Sequence, residues 1–143
     1  MMTNNAAALN LARDTKEAKW RKIGEGAVKS MNQLVHYSSW NFENKHLLLQ
    51  AELHYLNGRH SIAELAYQSS IISAHNHKFI HEEALACELY GVFLINNKEA
   101  EKGMKQLQHA HTKYRQWGAL KKAKAVEYFM GLVRIEDQYV GVW

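Results

Sequence analysis

Proline is absent from the 143 residues, and cysteine occurs once, at Cys87. Proline breaks helix interiors because its ring removes a backbone donor and clashes with the preceding turn. Its absence points to a mostly helical chain with short connections. One cysteine excludes an internal disulfide and makes the cytoplasm, a reducing compartment, the expected location. No apolar run approaches the roughly 20 residues that span a bilayer, so no membrane partner is expected. Met1 to Asn10 is too polar and alanine-rich for a secretion signal. There is also no Gly-x-x-x-x-Gly-Lys-Ser/Thr loop, no kinase catalytic loop and no Asp-Phe-Gly.

What is present is the composition of a soluble globular chain, 47% hydrophobic and 22% charged. The length suits one domain, able to bury roughly 70% of its unfolded surface. The expected division is a flexible N-terminus at 1–12, a single helical domain at 13–136 and an apolar tail at 137–143. The net charge of +4 is uneven: residues 1–40 carry +3, 41–112 carry −2 and 113–127 carry +4.

Six helices are legible. In the first, from about Arg13, residues Trp20, Ile23, Ala27, Met31 and Leu34 form one apolar stripe at steps of 3 or 4. Gly24 and Gly26 mark a kink or a close crossing, and the helix should stop near Ser38 and Ser39. Asn41 is the expected N-cap of a second helix, Phe42 to Leu56, ended by Asn57-Gly58. Ser61 is the expected cap of a third, which carries Ile62, Ala63, Leu65, Ala66, Ile71, Ile72 and Ala74. The fourth, Ile80 to Ile95, is apolar on more than one face and so reads as sandwiched between neighbours. Asn96-Asn97 turns into the fifth, Glu99 to Trp117. Gly118 separates that from a sixth, Leu120 to about Ile135.

The second and third helices repeat as the fourth and fifth with a period of 40 residues. Ala51 meets Gly91, Leu49 meets Leu89, Asn57 meets Asn97, Ala63 meets Gly103, Tyr67 meets Leu107 and Ser70 meets Ala110. Small residues recur where paired helices approach closely, and large ones recur a turn away. That is the packing logic of an all-α solenoid of antiparallel helix pairs, of tetratricopeptide type. The usual period is about 34, so extra residues are expected in the loop near His75 to Glu82.

A family resemblance follows from particular residues. Its first half is Asn41-Phe42, Lys45, the run LLLQAE ending at Glu52, Gly58, Ala63, Tyr67, Ile71 and Ala74. Its second half is Phe79, EEALA from Glu82 to Ala86, Glu88-Leu89, Phe93, Leu107, Ala110, Tyr114 and Trp117-Gly118-Ala119. Together, over Met31 to Lys124, they resemble the tetratricopeptide-like region of large multidomain signalling ATPases. That region lies between the ATPase module and a sensor or kinase output. The resemblance implies a regulatory or protein-interaction solenoid, as a fragment or a stand-alone relative. Three positions depart from it: Lys98 replaces the usual turn glycine, Gly103 replaces alanine and Trp40 stands where proline often precedes Asn-Phe. Gly103 is expected to weaken the fifth helix. The missing phosphate loop and kinase motifs mean that the relatives' catalysis does not carry over.

Candidate chemistry is sparse. His75, His77 and His81, followed by Glu82 and Glu83, are the metal-ligand types closest in sequence, but they lack the second histidine of a His-Glu-x-x-His helix. No metal and no cofactor are expected. Cys87 aligns with a packing position and reads as a buried small hydrophobe. The expected activity is therefore non-enzymatic: interaction or scaffolding with a protein or peptide partner. The first helix of each pair should line a concave groove, which places Lys45, Leu48, Glu52 and Tyr55 beside Leu85, Glu88, Val92 and Ile95. Two repeats are near the minimum for stability, so self-association through the last helix and Trp143 is expected. The alternative is a basic nucleic-acid-binding protein using Arg21, Lys22, Lys121, Lys122 and Lys124.

Overall fold

The computed structural model describes residues 9, 12, 13, 18–37 and 39–140, with 34–37, 39–41 and 137–140 described by backbone alone. Those residues form six helices and no strand: α1 (Ala18–Tyr37), α2 (Ser39–Leu56), α3 (His60–Asn76), α4 (Ile80–Asn96), α5 (Ala100–Trp117) and α6 (Leu120–Val140). None of the described helices is long and apolar enough to cross a membrane. The chain divides into two compact units, Met1–Lys78 and Phe79–Trp143.

The four helices α2 to α5 end by one rule. Among the described residues, those with positive φ are Gly58, Lys78, Lys98 and Gly118, spaced every 20 residues. At Gly58 the amide bonds back to the Tyr55 carbonyl and the next amide, of Arg59, to that of His54. The same pair of bonds recurs at Lys98 with Glu99 and at Gly118 with Ala119. This double bond pattern satisfies the last carbonyls of a helix and needs a left-handed residue to close it. Glycine adopts that conformation freely, whereas lysine is strained there.

In the first unit, α1 packs on α2 and α2 on α3. Leu9, Met31 and Leu49 form a buried core with Val28, Phe42, Leu53 and Leu56 against it. The start of α2 meets the end of α3. Ser70 donates to the Asn44 carbonyl at 2.8 Å and Ser73 to the Glu43 carboxylate at 3.1 Å. In the second unit, α4 packs on α5 and α5 on α6. Lys113 and Glu83 pair at 3.7 Å in the register of Ser73 and Glu43. The second helix of each pair buries matching positions: Ala63, Tyr67, Ser70 and Ala74 in α3, Gly103, Leu107, Ala110 and Tyr114 in α5.

Several expectations are corrected. The caps at Asn41 and Ser61 are not formed, because α2 begins at Ser39 and α3 at His60, with no side-chain cap bond from Arg59. The extra residues of the long period do not form a loop near His75 to Glu82. They lengthen the helices, which run to 17 or 18 residues from α2 to α5 with three-residue links. Ile23 leaves the apolar stripe of α1 and is 49% exposed, and Ile62, Leu65 and Ile72 of α3 also face outward. Gly24 is where Leu9 seats, while Gly26 faces open space. The helix α6 continues to Val140, past its expected end. Of segment 1–12 only Leu9 and Ala12 are described, and both are buried. Gly141, Val142 and Trp143 lie outside the described residues.

Gly103 has a packing role beside its expected effect on helix propensity. A Cβ added there would stand 2.8 Å from the Gly91 carbonyl oxygen and 2.6 Å from Ile95 Cγ1. One added at Gly91 would stand 3.0 Å from the Gly103 carbonyl oxygen. The two glycines let α4 and α5 cross backbone to backbone. Gly103→Ala is predicted to destabilise the fold by about 1–3 kcal/mol through overpacking. Helix propensity alone would give a gain of roughly 1 kcal/mol, so the sign in a urea melt decides between the two. Lys98→Gly, which relieves a left-handed lysine on a link, is predicted to stabilise by about 1 kcal/mol in the same assay.

Candidate functional site

Glu52 is a charged residue on α2, yet it is 1% exposed. Its Oε1 accepts a hydrogen bond from the Tyr67 hydroxyl at 2.5 Å, and its Oε2 accepts one from Arg13 Nη1 at 3.1 Å. The same guanidinium lies 4.2 Å over the Tyr55 ring, a cation–π contact. Burial pushes the Glu52 carboxyl above its ordinary value, and the Arg13 charge with the bonds from Tyr67 and Arg13 offsets part of that rise. Burial, and next the Glu52 charge, push the Tyr67 hydroxyl well up. Leu48 is buried as well, and Lys45 and Tyr55 are half-buried. The first-unit part of the expected groove is thus a closed polar lock.

The second unit differs. Glu88 and Val92 of α4 line a cavity of about 180 Å³ with Leu107 of α5 and Lys122, Ala125, Val126 and Phe129 of α6. Burial raises the Glu88 carboxyl, opposed first by the nearby Lys122 ammonium and then by Tyr114. The Tyr114 hydroxyl lies beside Glu88, close enough to shift both groups, but closes no hydrogen bond of ordinary geometry. The Lys122 ammonium sits 5.9 Å over the Tyr114 ring. The cavity therefore has apolar walls and one acid–base pair at its edge, the composition of a site for an aliphatic side chain with a polar neighbour. Of the other expected groove residues, Leu85 is buried and Ile95 packs at the Gly103 crossing.

The basic residues belong to different units and have different surroundings. Arg21 donates to Asn57 at 2.5 Å and pairs with Glu25 at 3.8 Å. Lys122 borders the cavity with Glu88, and Lys22, Lys121, Lys122 and Lys124 are all exposed. His75 and His77 belong to the first unit and His81 to the second, where its ring lies against Trp117 with centroids 4.5 Å apart. No group of three or more His, Cys, Asp or Glu able to hold a metal occurs among the described residues. Burial, with the Glu83 charge adding and Lys113 opposing, pushes the Cys87 thiol up to about 12. A thiol held there stays protonated near neutral pH and is no nucleophile.

Compared with family models, curated proteins and solved structures, the chain matches none. Sequence reasoning named Glu88, Val92 and Lys122 but placed Lys122 in a separate patch, and it missed Ala125, Val126 and Phe129 as cavity walls. The available signal was Glu88 on one helix and Lys122 on another, and sequence spacing alone does not make such a pair adjacent.

The Glu52 lock carries a linkage prediction. A carboxyl raised in the folded state contributes stability that is complete below its ordinary 4.5 and is lost as pH rises through the folded value. Urea melts should show that decline in the wild type and a flatter profile in Glu52→Gln. Arg13→Ala, which leaves Glu52 buried without its cation, should cost about 3 kcal/mol near neutral pH.

Proposed function

We propose that the chain is a non-enzymatic protein–protein interaction module built from tetratricopeptide-like helix pairs stacked as a solenoid. It acts as a cytoplasmic scaffold, alone or within a larger signalling protein. The observation that carries this reading is the repetition of the pairs. Left-handed residues recur at 58, 78, 98 and 118, and small residues recur at 51 and 91 and again at 63 and 103. Repeats of this kind serve as rigid surfaces for extended or helical segments.

The binding position it names is the cavity of the second unit. An aliphatic side chain of a partner segment enters beside Val92, Leu107, Val126 and Phe129, and Glu88 with Lys122 meets a polar group next to it. Chemical cross-linking in the source cell, with Ala125→Trp as the comparison, tests this. The substituted ring fills the cavity from an exposed position, so helix content should hold while capture of the cross-linked protein falls at least ten-fold. Capture should also survive a rise from 50 to 200 mM salt. A nucleic-acid ligand held by Arg21, Lys22, Lys121, Lys122 and Lys124 would instead lose affinity steeply over that range, on the order of 10³-fold for six or more phosphate contacts. That outcome would sink the proposal.

A further inference from the structure

The outer face of α6 repeats one that is covered twice elsewhere in the chain. On α2, Asn44 and Glu52 meet Ser70 and Tyr67 of α3, and Ala51 between them is fully buried. On α4, forty residues later, Gly91 meets Leu107 and Gly103 of α5, and Ile95 also meets Gly103. Another forty residues on, the same positions are Lys124, Gly131, Leu132 and Ile135 of α6. Here no described residue packs over them. Leu132 is 44% exposed, Ile135 50% and Tyr128, in the register of Leu48 and Glu88, 72%. A Cβ added at Gly131 meets no atom within 4 Å, whereas one at Gly91 meets Leu107 and Gly103 at 2.9–3.0 Å. The opposite face of α6 is committed to the fold, with Ala123, Val126, Met130 and Val133 buried. The helix is thus the first member of a third pair, its crossing residue open.

We propose that this face of α6 docks one amphipathic helix of another protein, patterned like α3 and α5. What covers the equivalent faces specifies that pattern. It is a small residue at the crossing, a large apolar residue four positions on, and a small residue three after that. Ala63, Tyr67 and Ser70 supply it in α3; Gly103, Leu107 and Ala110 supply it in α5. Charge sets the direction. The end of α5 meets the start of α4, as Lys113 meets Glu83. A helix docked likewise brings its C-terminal end to the start of α6. There, exposed Lys121 and Lys124 replace His81 and Ala84. Free carbonyls and the negative end of the helix dipole suit two ammonium groups. This inference rests on the interaction-module reading and gives it a second, separate surface.

The probe is a labelled synthetic peptide with the sequence of residues 99–118, titrated into the intact chain and read by fluorescence anisotropy. Saturable binding is expected, weakened at least ten-fold by Gly131→Leu and by Leu132→Glu. Helix content and melting temperature should be kept in both variants, because a Cβ at Gly131 meets no described atom within 4 Å and Leu132 is on the exposed face. Failure of the peptide to bind overturns the docking face, as does equal binding of a scrambled peptide. A wild-type dimer in sedimentation that Gly131→Leu dissolves assigns the face to a second copy and overturns it too. Peptide binding lost in Ala125→Trp but kept in Gly131→Leu overturns the docking face while leaving the interaction-module reading intact. Peptide binding through Gly131 with no cavity-dependent capture in the cell does the reverse.

Discussion

The close crossing of two helix backbones is the constraint on which each unit depends. In the second unit Gly91 and Gly103 remove both Cβ atoms at the crossing, so each backbone approaches the other's carbonyl. That approach seats Leu107 over Gly91 and Ile95 over Gly103, and it brings Glu83 to Lys113 and Glu88 to Tyr114. In the first unit the same register positions are Ala51 and Ala63, both fully buried, and Tyr67 reaches Glu52. Helices of this length are marginal by propensity alone, so most of their stability comes from such packing. A glycine that lowers intrinsic helicity can therefore stabilise the pair that contains it.

A second constraint follows from the first. Tight pairing draws an acid into the packing of each unit, Glu52 fully buried and Glu88 half-buried, and a carboxylate taken out of water must be neutralised or hydrogen-bonded. Glu52 and Glu88 have matching neighbours, a tyrosine from the second helix of the pair and a cation from outside it, but only Glu52 is hydrogen-bonded by both. Arg13 serves Glu52 and Lys122 serves Glu88. The difference lies in closure. Arg13 completes its site with hydrogen bonding and a ring contact, whereas Lys122 stands at the edge of a cavity that remains open. The second arrangement keeps room for a ligand group.

Much of the fold was legible because its signals are local. The lack of proline, the glycines at 58 and 118 and the apolar periodicity identified six helices with links close to where they lie. The 40-residue repeat was readable because small residues mark crossings wherever they recur. Lys78 and Lys98 hid the finer spacing of 20, since lysine carries no sign of a left-handed conformation. The caps at Asn41 and Ser61 failed because packing of α2 and α3 extends each helix past a residue that would suit its start.

The sequence by itself determined helicity, the repeat and the positions where backbones approach, because these depend on residue size and periodicity along one helix. It did not determine which polar residues are buried. Glu52 and Glu88 look alike in the chain, and both sit on faces expected to line a groove. Only the tertiary structure decided that the first is sealed by a residue 39 positions away and the second borders a cavity. It also decided that Gly91 is covered by α5 while no described residue meets a Cβ at Gly131. The reason is physical: burial and charge pairing depend on what a neighbouring element brings, and sequence distance does not encode that.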